Sequence, residues 1–234
     1  KWSKPFHNSF ISTFAHQVSR ERKVNLVNSE RKLRLIYIDD LIKNLVSVKD
    51  KKNLNKVNFK YSNITITTPI AVLNLLRLFH KNDKEKIITN FSTLFVKKLY
   101  STYLYYMPKK LVTQKIQNNT DHRGTFAEIL KLGKYGQLSY FSILPGKLRG
   151  GHYHHTKTEK FLIIDGSVTF NFKDLYNGKK YLINVSDKDK KIVTTVPGWV
   201  HDIKNNSKKT AKLIVWANEV FSKKRPDTYM ASMK

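Results

Sequence analysis

Four side chains in the second half of this chain have the types and spacing needed to hold a metal ion. From Gly146 to Gly166 the residues read GKLRGGHYHHTKTEKFLIIDG, a G-x5-H-x-H-x4-E-x6-G pattern with His152, His154 and Glu159 in register. On an extended strand, side chains two residues apart point to the same side of a sheet, so both imidazoles reach one ion, while His155 points away from them. Glu159 returns on the same hairpin. A fourth donor has to come from a distant strand, and PGWVHDIKN at 197 to 205 offers His201, followed by Asn205. An H-x-H pair alone is common in strands and on solvated loops. Glu159, Gly166 and His201 at these offsets are what make it a candidate metal site. The chain has no cysteine, so imidazole and carboxylate are the available strong donors, a set open to Zn, Mn, Fe or Ni.

Holding such donors together calls for a strand-rich scaffold. All nine glycines fall at or after Gly124, and β-branched or aromatic runs follow at 137–143, 160–164, 168–172, 181–185, 192–196 and 212–217. Pro-Gly, Asp-Gly and Asn-Gly turns separate them, as in an antiparallel barrel. The two histidine motifs resemble those of the cupin barrel, a double-stranded β-helix or jelly roll. The second departs from the pattern, because Pro197 and Gly198 are adjacent where cupins space them by one residue. The glycine-free front reads as α/β: an amphipathic helix over 9–20, a short strand over 33–38, and a helix started by Asp39-Asp40 and running to about Val48. A strand at 64–68, a helix opened by Pro69 and an aromatic-rich helix over 91–106 complete it, and the aromatics at 99–108 are expected at a packed domain interface. The chain is therefore expected to be mainly β, with an α/β segment over 1–106, a linker over 107–119 and the barrel over 120–234.

The formal charge is +27, yet 36 of the 44 basic residues are lysines scattered through every segment. Arginine is the usual reader of phosphate forks and base edges, so nucleic-acid binding is not expected. The charge still suits an anionic substrate such as a nucleotide sugar. No apolar run approaches the ~20 residues that span a bilayer. With no cysteine to form disulfides, a cytoplasmic protein is expected.

Segments along the whole chain resemble the CapF-type capsular-polysaccharide enzymes, which join an extended short-chain dehydrogenase/reductase domain to a C-terminal cupin. They are KWSKPFHNSFISTFAH at 1–16, LIYIDDLI at 35–42, KKLYSTYLYYMP at 97–108, DHRGTFAEIL at 121–130, HYHHTKTEKFLIIDG at 152–166, and VWANEVF with RPDTY at 215–229. The resemblance implies a cupin that inverts C3 of a UDP-2-acetamido-2,6-dideoxy-4-keto-hexose with a bound metal, typically zinc. It also implies an NADPH-dependent reductase acting at C4, on the way to UDP-N-acetyl-L-fucosamine. The ligands would be His152, His154, Glu159 and His201. Arg123 would grip the diphosphate or a sugar oxygen, unless it pairs with Glu128, and His122 and Tyr153 are candidate proton carriers. Lys4, Asn8 and Ser9 match a segment beside the nucleotide-sugar pocket of the reductase domain.

A reductase of this kind needs a G-x-x-G-x-x-G turn for the pyrophosphate and a Tyr-x-x-x-Lys pair. The front half has no glycine, and among the Tyr-x-x-x-Lys pairs Tyr106 with Lys110 is interrupted by Pro108 and Tyr176 with Lys180 lies within the barrel. The chain, which starts at Lys1, is thus expected to begin after the Rossmann core, at the substrate-side lobe, and not to bind NADPH alone. A homodimer is expected by analogy. A separately encoded Rossmann piece is a further candidate partner, docking on apolar faces within 9–48. The alternatives are a non-catalytic sugar-binding cupin and a cupin oxygenase using the same four donors for iron.

Overall fold

The computed structural model describes residues 3–49 and 63–234, with side chains omitted at 47–49. It divides into two compact units, one holding the described residues up to Glu85 together with 89–114, the other holding 86–88 and 115–234. Among the described residues no helix is long and apolar enough to cross a membrane.

The first unit is α/β. Its elements are α1 (Phe10–Val18), β1 (Leu33–Leu35), α2 (Ile38–Lys49), β2 (Thr65–Thr67), α3 (Pro69–Lys84) and α4 (Leu94–Tyr106). Strands β1 and β2 pair antiparallel. Hydroxyl caps set three helix starts: Ser9, Thr68 and Thr93 each accept a hydrogen bond from an N–H of the first turn, and Pro69 follows its cap directly. These contacts correct two expected boundaries. Thr93 starts α4 three residues after Phe91, and the strand expected over 33–38 stops at Leu35 because Ile38 already belongs to α2, with Asp39 and Asp40 in its first turn.

The aromatic run of α4, expected at a domain interface, packs into the core of its own unit. Leu99, Tyr103 and Tyr106 join Phe14, Leu76 and Phe79 in one core, since helical spacing puts 99, 103 and 106 on the face turned to α1 and α3. Tyr106 also donates to the Ser3 carbonyl at 2.5 Å.

The second unit is a sandwich of two antiparallel sheets closed into a jelly roll. In chain order its strands are β3 (Asn118–Asp121), β4 (Gly124–Lys131), β5 (Gln137–Ile143), β6 (Leu148–Tyr153), β7 (Glu159–Asp165), β8 (Ser167–Asp174), β9 (Lys180–Ser186), β10 (Ile192–Thr194), β11 (Trp199–Lys204), β12 (Ala211–Ala217) and β13 (Tyr229–Met230). One sheet runs β10-β7-β12-β5-β4-β3 and the other β13-β6-β11-β8-β9. Alternate residues of both sheets face inward, so Phe141, Phe161, Phe170, Phe172, Ile203 and Leu213 form a single core. Each such large side chain contributes roughly 1.5–3 kcal/mol by leaving water. Segment 86–88 adds itself beside β4, where Ile88 N donates to Lys131 O and Lys131 N to Lys86 O, both at 2.8 Å.

Candidate metal centre

The neighbouring strands β6 and β11 set the centre. His201 lies directly opposite His152, but the next pair is Asp202 with Gly150, leaving Gly151 as an extra residue on β6. This is a β-bulge, and both residues beside it adopt left-handed backbone, Gly150 at φ 107° and Gly151 at φ 77°. A Cβ on Gly150 would stand 2.7 Å from the His201 carbonyl oxygen, so the strands meet only because no side chain is there. The bulge kinks β6 just before His152 and turns the following H-x-H toward the barrel interior.

Three imidazoles and one carboxylate converge as a result. Ring centroids lie 4.9 Å apart for His152 and His154, 4.7 Å for His152 and His201, and 5.1 Å for His154 and His201. Glu159, the first residue of β7, places Oε2 at 3.4 Å from Nε2 of both His154 and His201. One donor atom from each of the four lies within 4.8 Å of the others. Ligands ~2.1 Å from an ion at tetrahedral angles stand roughly 3.4 Å from each other, which is the separation of Glu159 from His154 and His201. His154 and His201 are 1% and 2% exposed, which keeps competing water from their rings.

The electrostatics suit the same role. Burial, helped by neighbouring His201, pushes His152 down to about 4, so its imidazole is neutral near pH 7 with a lone pair to give. Burial alone would raise the Glu159 carboxyl. Hydrogen bonds from His154 and His201 and the charge of Lys157 overcome it and hold the group well below its usual range, as the anion. The outer nitrogens of two rings are also tied: His154 Nδ1 sits 2.5 Å from the Asp227 carbonyl oxygen and His201 Nδ1 3.4 Å from that of Trp199.

Three of the donors, His152, Glu159 and His201, line a cavity of about 870 Å³ whose wall also carries Arg123, Arg149, Lys157 and Lys223, while His154 is buried behind them. Arg149 is held by the Ser142 carbonyl at 3.1 Å and Asp121 at 3.3 Å. Lys157 Nζ lies 3.5 Å from Glu159 Oε1. Arg123 lines the cavity as expected but pairs with Asp121 through two nitrogens, at 3.1 and 2.6 Å, and Glu128 pairs with Lys131 instead. Its short loop back to Asp121 is the reason: the β3–β4 turn puts the two side chains side by side.

Neither expected proton carrier reaches this wall. Tyr153 lies between the two ligand histidines in sequence, so the pleat turns it to the opposite face, where it stacks on Tyr229 at 5.4 Å. His155 joins them there, 4.5 Å from the Tyr229 ring. His122 is exposed in the turn between β3 and β4. In the first unit Lys4 and Asn8 are exposed, whereas Ser9 caps α1 and lines a separate cavity of about 920 Å³. Arg149, Lys157 and Asp227 are the site residues that sequence reasoning passed over, although KLRGG, TKTE and RPDTY all lie inside or beside the motifs.

Known proteins share this fold. Residues 119–229 match the family model of the polysaccharide biosynthesis C-terminal domain. The UDP-2-acetamido-2,6-beta-L-arabino-hexul-4-ose reductase of Pseudomonas aeruginosa is 38% identical over 233 residues, covering 100% of this chain and 63% of that protein. The capsular polysaccharide assembling protein CapF of Staphylococcus aureus superposes with a TM-score of 0.91 at 30% identity over 99% of this chain, which covers 68% of CapF in one crystal form. The chain belongs to the CapF family. Within that family it spans about 63% of the curated relative's length. The CapF match takes in both units and identifies the second as the cupin-like domain.

Proposed function

We propose that the barrel is a metal-dependent epimerase acting at C3 of a UDP-2-acetamido-2,6-dideoxy-4-keto-hexose, with zinc held by His152, His154, Glu159 and His201. The observation that carries this reading is the ligand set itself, four converging donors of which His152, Glu159 and His201 line a cavity that also carries Arg123, Arg149, Lys157 and Lys223. The relative's name places a 2-acetamido-2,6-dideoxy-4-ulose on a UDP carrier among its substrates or products. A CapF structure also contains the inhibitor 3-isopropenyl-tropolone, and tropolones present two adjacent oxygens suited to chelating a divalent ion.

A C4 ketone acidifies the neighbouring C3–H, and inversion requires that proton to leave one face and a proton exchangeable with solvent to be delivered to the other. Negative charge meanwhile develops on the substrate oxygen. The ion, when bound, supplies electrophilic stabilisation of that charge. Lys157 and Arg149 add positive charge at the cavity wall, and the buried position of His154 and His201 keeps the local dielectric low. Arg123, already locked by Asp121, presents a preformed guanidinium for the diphosphate. The reading also takes a homodimer and a cytoplasmic setting from the family resemblance.

The first unit supports a second, compatible proposal. Its cavity is walled largely by apolar residues, and Ile66 and Leu94 on that wall are 67% and 53% exposed. A separately encoded Rossmann-core polypeptide is a fitting partner for such a surface, and co-expression followed by size-exclusion chromatography tests it.

For the epimerase, the decisive experiment is NMR of the chain with the UDP-4-keto-6-deoxy sugar in D₂O, with and without Zn, using His154→Ala as control. Metal-dependent deuterium uptake at C3, absent in the variant, is the expected result. A folded, metal-loaded chain that exchanges nothing at C3 refutes the epimerase and leaves a sugar-binding cupin.

A further inference from the structure

The RPDTY segment at 225–229 has no role in the chemistry described so far, yet it closes over the metal centre. Strand β13 pairs with β6, with Tyr229 opposite Tyr153 and Met230 opposite His152, and Ala231 N donates to Gly151 O at 3.1 Å. Just before it, the Asp227 carboxylate sits in a nest of three consecutive backbone amides. Oδ1 accepts from His155 N at 2.8 Å, and Oδ2 accepts from Thr156 N at 2.7 Å, Lys157 N at 2.8 Å and the Thr156 hydroxyl at 2.9 Å. These amides belong to the loop that joins His154 to Glu159. They overcome partial burial and hold the Asp227 carboxyl far below its usual range.

The backbone of this same residue meets His154. Its carbonyl oxygen lies 2.5 Å from Nδ1. A carbonyl only accepts, so Nδ1 must be the protonated nitrogen, and in a neutral imidazole that leaves the lone pair on Nε2, the atom facing Glu159 and the centre. The carbonyl cannot swing away while the carboxylate is gripped on one side and β13 is paired on the other.

We propose that Asp227 is a positioning residue for the metal centre: its carboxylate latches the 155–157 loop, and its carbonyl thereby fixes the tautomer and orientation of His154. This rests on the metal reading above and adds to it a residue 73 positions from the ligand it orients. Groups that orient a ligand histidine in this way commonly govern metal affinity by 10–100-fold.

The test is Co²⁺ binding to the whole chain, with affinity read by competition against a chromophoric chelator and geometry by the visible d–d spectrum. Asp227→Ala is expected to weaken Co²⁺ binding by about 10–100-fold and to change the spectrum. Asp227→Asn retains an accepting oxygen and should fall between. Tyr229→Ala removes the stack on Tyr153 but leaves the latch and the backbone pairing of β13 in place, so it should lower the unfolding temperature while keeping wild-type affinity and spectrum. Equal weakening by Tyr229→Ala and Asp227→Ala would show that Asp227 acts only by tying down the C-terminus, and overturns the inference. Wild-type affinity and spectrum in Asp227→Ala, or in Asp227→Asn if the alanine variant does not fold, overturns it as well. A wild-type chain that binds no Co²⁺ overturns the metal reading, and this inference with it.

Discussion

Replacing Asn205 with alanine probes the corner that ties the end of β11 to the end of β5, four residues beyond ligand His201. The Asn205 side chain is fully buried and makes four hydrogen bonds. Its Nδ2 donates to the carbonyls of Ile143 at 2.8 Å and Lys209 at 2.7 Å, and its Oδ1 accepts from Ser207 N at 2.9 Å and Ser207 Oγ at 2.8 Å. Ile143 is itself fully buried, so its carbonyl loses this donor where water has little access, at a cost of about 1–3 kcal/mol. Ser207 and Lys209 lie near the surface, where water replaces most of what is lost, and about 0.5 kcal/mol for each of those bonds is appropriate. The expected loss is about 3 kcal/mol. At roughly 4 °C per kcal/mol for a unit of this size, the barrel transition should fall by about 12 °C. Scanning calorimetry and urea unfolding followed by far-UV circular dichroism measure it. Asn177→Ala is the control, because Asn177 is exposed and makes its one turn bond, to Lys179 N, in water. A loss below about 1 kcal/mol for Asn205→Ala, or one no larger than the control's, would refute the claim that this buried amide pins the corner.

Three further outcomes are expected. Gly150→Ala should abolish stoichiometric Co²⁺ binding and destabilise the barrel well beyond Gly133→Ala, because its Cβ would meet the His201 and Asp202 backbone at 2.7 Å while that of Gly133 meets nothing within 4 Å; a Co²⁺ titration with parallel melts reads both. Zn at about a hundred times its dissociation constant should stabilise the wild-type barrel by about 2.7 kcal/mol and leave His201→Ala unmoved, as differential scanning fluorimetry with a chelator control would show. NADPH fluorescence titration of the chain alone should show no saturable binding, since its first 123 residues contain no glycine for a pyrophosphate turn, and stoichiometric binding would contradict that argument.

Residue order alone picked out the four donors that the fold brings together, the antiparallel strands around them and the starts of α1 and α3. These depend on local rules: a period of two on a strand puts His152 and His154 on one side, and a hydroxyl before an apolar helical run caps it at Ser9 and Thr68. Strands β3, β4 and β13 were harder to see. β3 is exposed along its length and β13 has two residues, so neither carries the alternation that marks a half-buried strand.

Long-range pairing decided the rest. The Gly150-Gly151 pair reads as turn chemistry until the register of β6 against β11 shows it to be a bulge that aims His152. Tyr153 looked suited to proton transfer by type, but the pleat that brings its neighbours inward sends it outward. Arg123 had both Asp121 and Glu128 within a few residues, and the tight β3–β4 turn chose Asp121. Asp227 is separated from His154 by most of the barrel, and only the pairing of β13 with β6 places its carbonyl on the ring. Periodicity and capping act over a few residues and can be read along the chain, whereas a side chain's partner across strands depends on register, which the folded sheets alone determine.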